Sequence, residues 1–117
     1  MPTTTTNTDS YASDTPLVKL FGPKPRVKIL AVLLAQGRDI NASTIAELAG
    51  VSRSSVYDHL DPLITLGLVN KTREINGSPL YEINKDSPSA KKLAQLEMEL
   101  VYELSREERE QTATPSE

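Results

Sequence analysis

Gly50 separates two stretches that can only be short helices, and this constrains the fold more than any other feature of the sequence. Before it, Ser43 is a capping residue for Thr44 to Ala49, with Glu47 near capping-box spacing. After it, Val51 leads to Ser52, a second capping residue, and Arg53 opens an amphipathic segment with Val56, Leu60, Leu63 and Ile64 on its inner face. Glycine takes a left-handed turn without the steric cost other residues meet, so the chain can reverse within a few residues. The two helices then approach closely at Ala46, which must be small, while Ile45, Ala49, Val51 and Val56 fill the wedge between them. Pro62 removes the amide that would bond residue 58, so the second helix either kinks there or restarts with Asp61 as its cap. Gly67 closes it.

The flanking segments follow from the same rules. Thr15-Pro16 starts a short apolar helix or extended arm carrying Leu17, Val18, Leu20 and Phe21, which stops at Gly22-Pro23. Pro25 then opens a mostly buried helix whose Val27, Ile29, Leu30, Val32, Leu33 and Leu34 leave few polar positions before Gly37. Asp39-Ile40-Asn41 has room only for a bridging strand. From Leu68 to Asn84 the residues alternate around Asn76-Gly77, the strongest short signal for a two-residue hairpin turn. With that turn, Ile75 pairs with Ser78, Thr72 with Tyr81, Lys71 with Glu82 and Asn70 with Ile83. One face then carries Leu68, Thr72, Tyr81 and Ile83, and the other Lys71, Arg73 and Glu82. A last helix, about Ser89 to Gln111, bears a stripe of Leu93, Leu96, Leu100, Val101 and Leu104 too long to pack wholly on so small a domain. Its copy in a second subunit is the simplest cover.

At 117 residues, 38% of them hydrophobic, the chain holds one modest core. The expected division is a disordered polar tail at 1–14, a globular domain at 15–86, a dimerisation helix at 87–111 and a flexible end at 112–117. No apolar run is long enough to span a bilayer and the first residues are polar, which predicts a soluble, cytoplasmic protein. Without cysteine there is no disulfide framework, thiolate metal site or cysteine nucleophile, and His59 is the only histidine. The net charge of −3 conceals a middle, 17–85, with nine bases against six acids, and an end, 86–117, with four bases against eight acids. A mildly basic centre suits an anionic partner.

The order helix, short strand, helix, tight turn, helix, hairpin resembles the winged helix-turn-helix, and the run TIAELAGVSRSSVYDHLDPLITLGLV carries the resemblance. Over about residues 17 to 105 the chain is similar to small archaeal or bacterial transcription regulators of the broad ArsR and MarR-like type. The fold expected is mainly α with a small β-hairpin wing and a long C-terminal helix. The resemblance places the start of the second motif helix in the major groove and the wing on phosphates or the adjacent minor groove of double-stranded DNA. The corresponding residues here are Ser52, Arg53, Ser54, Ser55 and Tyr57, with Ser43 and Thr44 at the preceding helix start. His59 is a further phosphate candidate. Free amides and a positive dipole at a helix start suit phosphate, and Arg53 can grip guanine through two acceptors.

On the wing, Lys71 and Arg73 are the basic candidates. Lys71 is explained equally by a solvated pair with Glu82, whereas a guanidinium suits the narrow minor groove of A·T-rich DNA. Lys19, Lys24, Arg26 and Lys28 either touch backbone or are ordinary solubilising charges. Asp58 and Asp61 lack the further ligands and Gly-rich loop that a metal or catalytic site needs, so neither metal, cofactor nor enzyme activity is expected. Asp58 instead repels unsuitable contacts or holds Arg53 in place. The expected protein is a sequence-specific homodimeric regulator, whose effector the sequence leaves open. The alternative is a winged-helix protein-interaction module in a transcription or chromosome-maintenance assembly.

Overall fold

Three helices open on proline, whose missing amide costs nothing in a first turn. The computed structural model describes residues 15–113, and side chains as far as residue 106. Helices α1 (Pro16–Phe21), α2 (Pro25–Gln36) and α5 (Pro88–Ala113) start in this way. Ser87 caps α5, its Oγ accepting from the Ala90 amide at 3.1 Å. Between α2 and α5 come β1 (Ile40–Asn41), α3 (Ala42–Ala49), α4 (Arg53–Thr65), β2 (Val69–Ile75) and β3 (Ser78–Ile83). The fold is the expected mainly helical one with a hairpin wing. The expected tail at 1–14 lies outside the described residues, as do residues 114–117; α5 itself continues two residues past the expected end at 111.

The motif closes as its sequence requires. Gly50 takes a left-handed conformation, φ 73° and ψ 37°, and donates its amide to the Ala46 carbonyl. Ile45, Ala49 and Val56 are fully buried beneath the turn, with Val51 packed at the rim. Ile29, Val32 and Leu33 of α2 meet Leu60 and Leu63 of α4 in the same core, and Val69, Tyr81 and Ile83 close it from the sheet. Each large aliphatic side chain removed from water contributes roughly 1.5–3 kcal/mol, so this cluster holds the motif rigid.

Two local expectations are corrected. Asn41, not Ser43, caps α3: its Oδ1 accepts from the Thr44 amide at 2.8 Å, and the helix begins at Ala42. Both residues are capping types, but Asn41 ends β1 in an extended conformation, φ −87° and ψ 170°, so the helical turn begins directly after it. Of the two readings left open at Pro62, the restart at Asp61 does not occur: α4 runs through the proline to Thr65 as one helix.

The wing register is the second correction. The turn at Asn76-Gly77 and the Ile75–Ser78 pair are as expected, but Lys71 pairs with Tyr81, Asn70 with Glu82 and Val69 with Ile83. A bulge lies between Lys71 and Arg73, where Thr72 is the extra residue. Paired residues share a face, so Val69, not Thr72, joins Tyr81 and Ile83 over the core. Lys71 moves to that side and loses Glu82 as its neighbour. Arg73 lies opposite Leu80, on the other side. The sheet order β1-β3-β2 makes β3 central, with Ile40 against Tyr81 and Asn41 against Leu80.

Candidate nucleic-acid interface

Ser52 prepares the start of α4. In extended conformation, it accepts the Ser55 amide on its Oγ at 3.1 Å and the Val56 amide on its carbonyl. This leaves the Arg53 and Ser54 amides without an intrahelical partner at the positive end of the helix dipole. Ser52, Arg53, Ser54 and Tyr57 are exposed and Ser55 is half-exposed, while Val56, Leu60 and Leu63 anchor the opposite face in the core. The arrangement presents hydroxyls, a guanidinium and a phenol from a rigid base. It can donate to anionic oxygens and to base-edge acceptors.

The other sequence candidates fall into different settings. Ser43 is exposed and Thr44 half-buried at the start of α3. His59 is half-buried, and its Nδ1 accepts from Arg26 Nε at 3.1 Å, which ties the first turn of α2 to α4. That bond leaves Nε2–H as the ring's remaining donor. Lys28 is only 7% exposed, so it does not belong with Lys19, Lys24 and Arg26, whose side chains are exposed. Among the described residues two ion pairs form, Lys71–Glu74 at 3.9 Å and Arg73–Asp39 at 3.0 Å. Asp58 therefore does not hold Arg53.

Asp39 is the residue that sequence reasoning missed. Its Oδ2 accepts from Arg73 Nε at 3.0 Å and from Thr72 Oγ1, and its Oδ1 accepts from Arg73 Nη2 at 3.3 Å. The Arg73 hydrogen bonds, followed by that of Thr72, hold the Asp39 carboxyl below its usual range, and Asp39 in turn keeps Arg73 more firmly protonated. The partners are 34 positions apart, and no local pattern signals the pairing. The only clue was an acid just before the bridging strand.

The C-terminal stripe is divided by the fold. Leu93, Leu100 and Leu104 are half-buried, whereas Leu96, Val101, Met98 and Tyr102 of α5, together with Leu20 and Phe21 of α1, are exposed. A cleft of ≈ 250 Å³ between the end of α2 and α5 is lined by Leu34, Ala35, Ala94, Glu97, Met98 and Val101. Burial there raises the Glu97 carboxyl above its ordinary range. Among the described residues, no cluster of three or more His, Cys, Asp or Glu side chains could hold a metal, and no helix is long and apolar enough to cross a membrane.

Similar proteins share this architecture. The structure of reduced HlyU from Vibrio cholerae is 26% identical with a TM-score of 0.53, covering 69% of this chain and 80% of that one. A MarR-family transcriptional regulator from Silicibacter pomeroyi is 21% identical with a TM-score of 0.60, covering 90% of this chain and 70% of that one. ZitR from Lactococcus lactis, solved as a mutant in apo form, is 18% identical with a TM-score of 0.59, covering 80% and 74%. No curated protein sequence matches. Residues 26–85, just over half the chain and the whole of the motif with its wing, match the family described as "Sugar-specific transcriptional regulator TrmB". With its turn, wing and capped second motif helix thus accounted for, the chain belongs to the TrmB family of transcriptional regulators.

Proposed function

We propose that the protein is a homodimeric, sequence-specific regulator that reads double-stranded DNA with the N-terminal end of α4. The observation that carries this reading is the Ser52-capped helix start, which exposes Arg53, Ser54 and Tyr57 on a helix anchored by Val56, Leu60 and Leu63. In this reading Arg53 grips a guanine edge, Ser52, Ser54 and Ser55 bond phosphate, and Tyr57 packs against the groove wall. Ser43 and Thr44 contact backbone at the start of α3, and His59 donates from Nε2 to a phosphate. On the wing, Lys71 and Arg73 lie along the backbone or the adjacent minor groove. The protein works in the cytoplasm, where its DNA is.

The second subunit covers the apolar α5 surface, with Leu93, Leu96, Leu100, Val101 and Leu104 in the contact and Leu20 and Phe21 beside it. Two motifs so joined bind half-sites about one helical turn, ~10 base pairs, apart at high effective concentration. Selection from a random duplex pool, repeated over a salt series, tests the reading. The expected result is an enriched pseudo-palindromic site and a steep salt dependence. Backbone binding with no enriched sequence removes the base-reading role, and no binding even at low salt replaces it with a protein-interaction role.

A further inference from the structure

We propose that Asp39 is the positioning residue of the wing: it anchors the bulged strand and holds the Arg73 guanidinium with its free edge turned toward the duplex. This rests on the DNA-reading function above and extends it to a residue outside both the motif helices and the hairpin.

The bulge makes the contact possible. In an unbroken strand Lys71 and Arg73 would share a face, but they pair with Tyr81 and Leu80, adjacent residues on opposite faces of β3. Arg73, Leu80 and Asn41 therefore form one row across β2, β3 and β1. Asp39, two residues before Asn41, receives the guanidinium after it has crossed that row. Leu80, in the middle of this row, is buried and lies outside the main core cluster.

The exposure of the partners is unequal. The Asp39 side chain is 15% exposed and that of Arg73 is 62% exposed, so the acid is the fixed end and the base the presented one. A guanidinium carries five N–H donors. Asp39 takes one from Nε and one from Nη2, which leaves the rest for phosphate or minor-groove acceptors. Beyond its ladder with β3, strand β2 has little else to hold it, because each of its residues after Val69 is exposed. A two-point carboxylate contact at the bulge sets both the hairpin's angle and the direction of its arginine. A lysine could supply the charge but not the two parallel bonds.

The test uses the full chain, an enriched duplex from the selection and a scrambled duplex of the same length. The expected result for Asp39→Asn is an enriched-to-scrambled affinity ratio lowered about tenfold, the size of one lost base-pair preference. Binding to the scrambled duplex holds or rises, since an acid near DNA has been removed. Arg73→Lys keeps the charge and gives the same loss of ratio, and the double variant loses little more than either single one. Without DNA, the wild-type Arg73 Nε–H exchanges slowly in NMR spectra and becomes fast-exchanging in Asp39→Asn. An unchanged ratio in a folded Asp39→Asn, or in Arg73→Lys should the first variant not fold, overturns the proposal alone. Equal loss on both duplexes assigns Asp39 to stability and also overturns it. A wild-type chain that binds neither duplex overturns the DNA-reading function, and this inference with it.

Discussion

The start of α4 and the wing both project from the same small core, but they are held differently. The α4 helix is anchored along its length by Val56, Leu60 and Leu63, all 2% exposed or less, so its outward residues have a rigid base. The wing is anchored at its root by Val69, Tyr81 and Ile83, and beyond that by ladder bonds and a single carboxylate at Asp39. Packing fixes one element and a polar strap fixes the other. The first rests on apolar contacts that carry no charge, while the second rests on one ion pair whose arginine is exposed.

The largest expected effect lies on the packed side, in α4. Leu60→Ala is expected to cost about 2–5 kcal/mol in denaturant unfolding, with DNA binding lost in parallel. A cost confined to DNA binding, with no loss of stability, would mean that α4 is not held by the core in this way. Arg53→Ala, at an exposed position, is expected to leave the unfolding midpoint in place and to remove about 1–3 kcal/mol of discrimination at one base position. Repeating the duplex selection with the variant checks this. Asn41→Ala should lose about 1 kcal/mol of stability as the α3 cap disappears, whereas Ser43→Ala at its exposed position should lose almost none. Matching unfolding curves for these two variants would reverse the cap assignment.

The smallest effects are pH-dependent and have opposite signs. The folded-state pKa of Asp39 is lowered, so the strap's contribution is present above the unfolded carboxylate range near ~3.9 and fades as pH falls through the lower folded value. That of Glu97 is raised by burial, so its favourable contribution is present below ~4.3 and is lost as pH rises through the folded value. Glu97→Gln should accordingly gain at most about 0.5 kcal/mol at pH 7 and nothing near pH 4, the gain being small because solvent screens a half-exposed group. Thermal unfolding of the variant at the two pH values measures the difference.

The features legible in the sequence are those fixed by neighbouring residues. Ser52 and Gly50 announced the turn, Asn76-Gly77 the hairpin, and the prolines the starts of α1 and α2. The start of α4 was readable for the same reason: its cap and its anchoring face lie within a dozen residues. What escaped was set at long range. The bulge at Thr72 answers to an acid 33 positions earlier, and the Arg26–His59 bond also spans 33 positions. Hydrophobic alternation specifies which strand face is buried, but it does not reveal an extra residue that a distant side chain holds in place. The choice between Asn41 and Ser43 as cap failed more locally, since two competent residues stood two apart and only the end of β1 decided between them.

In the proposed function, DNA reading depends most on the N-terminal end of α4. Titration of the isotope-labelled full chain with its enriched duplex, followed through backbone amide signals, tests this directly. The Ser52, Arg53, Ser54 and Ser55 amides are expected to shift most, with smaller changes at Lys71 and Arg73 and none at the buried Ile29 and Leu33. A saturated complex in which those four amides stay where they were in the free protein would rule out that role for α4.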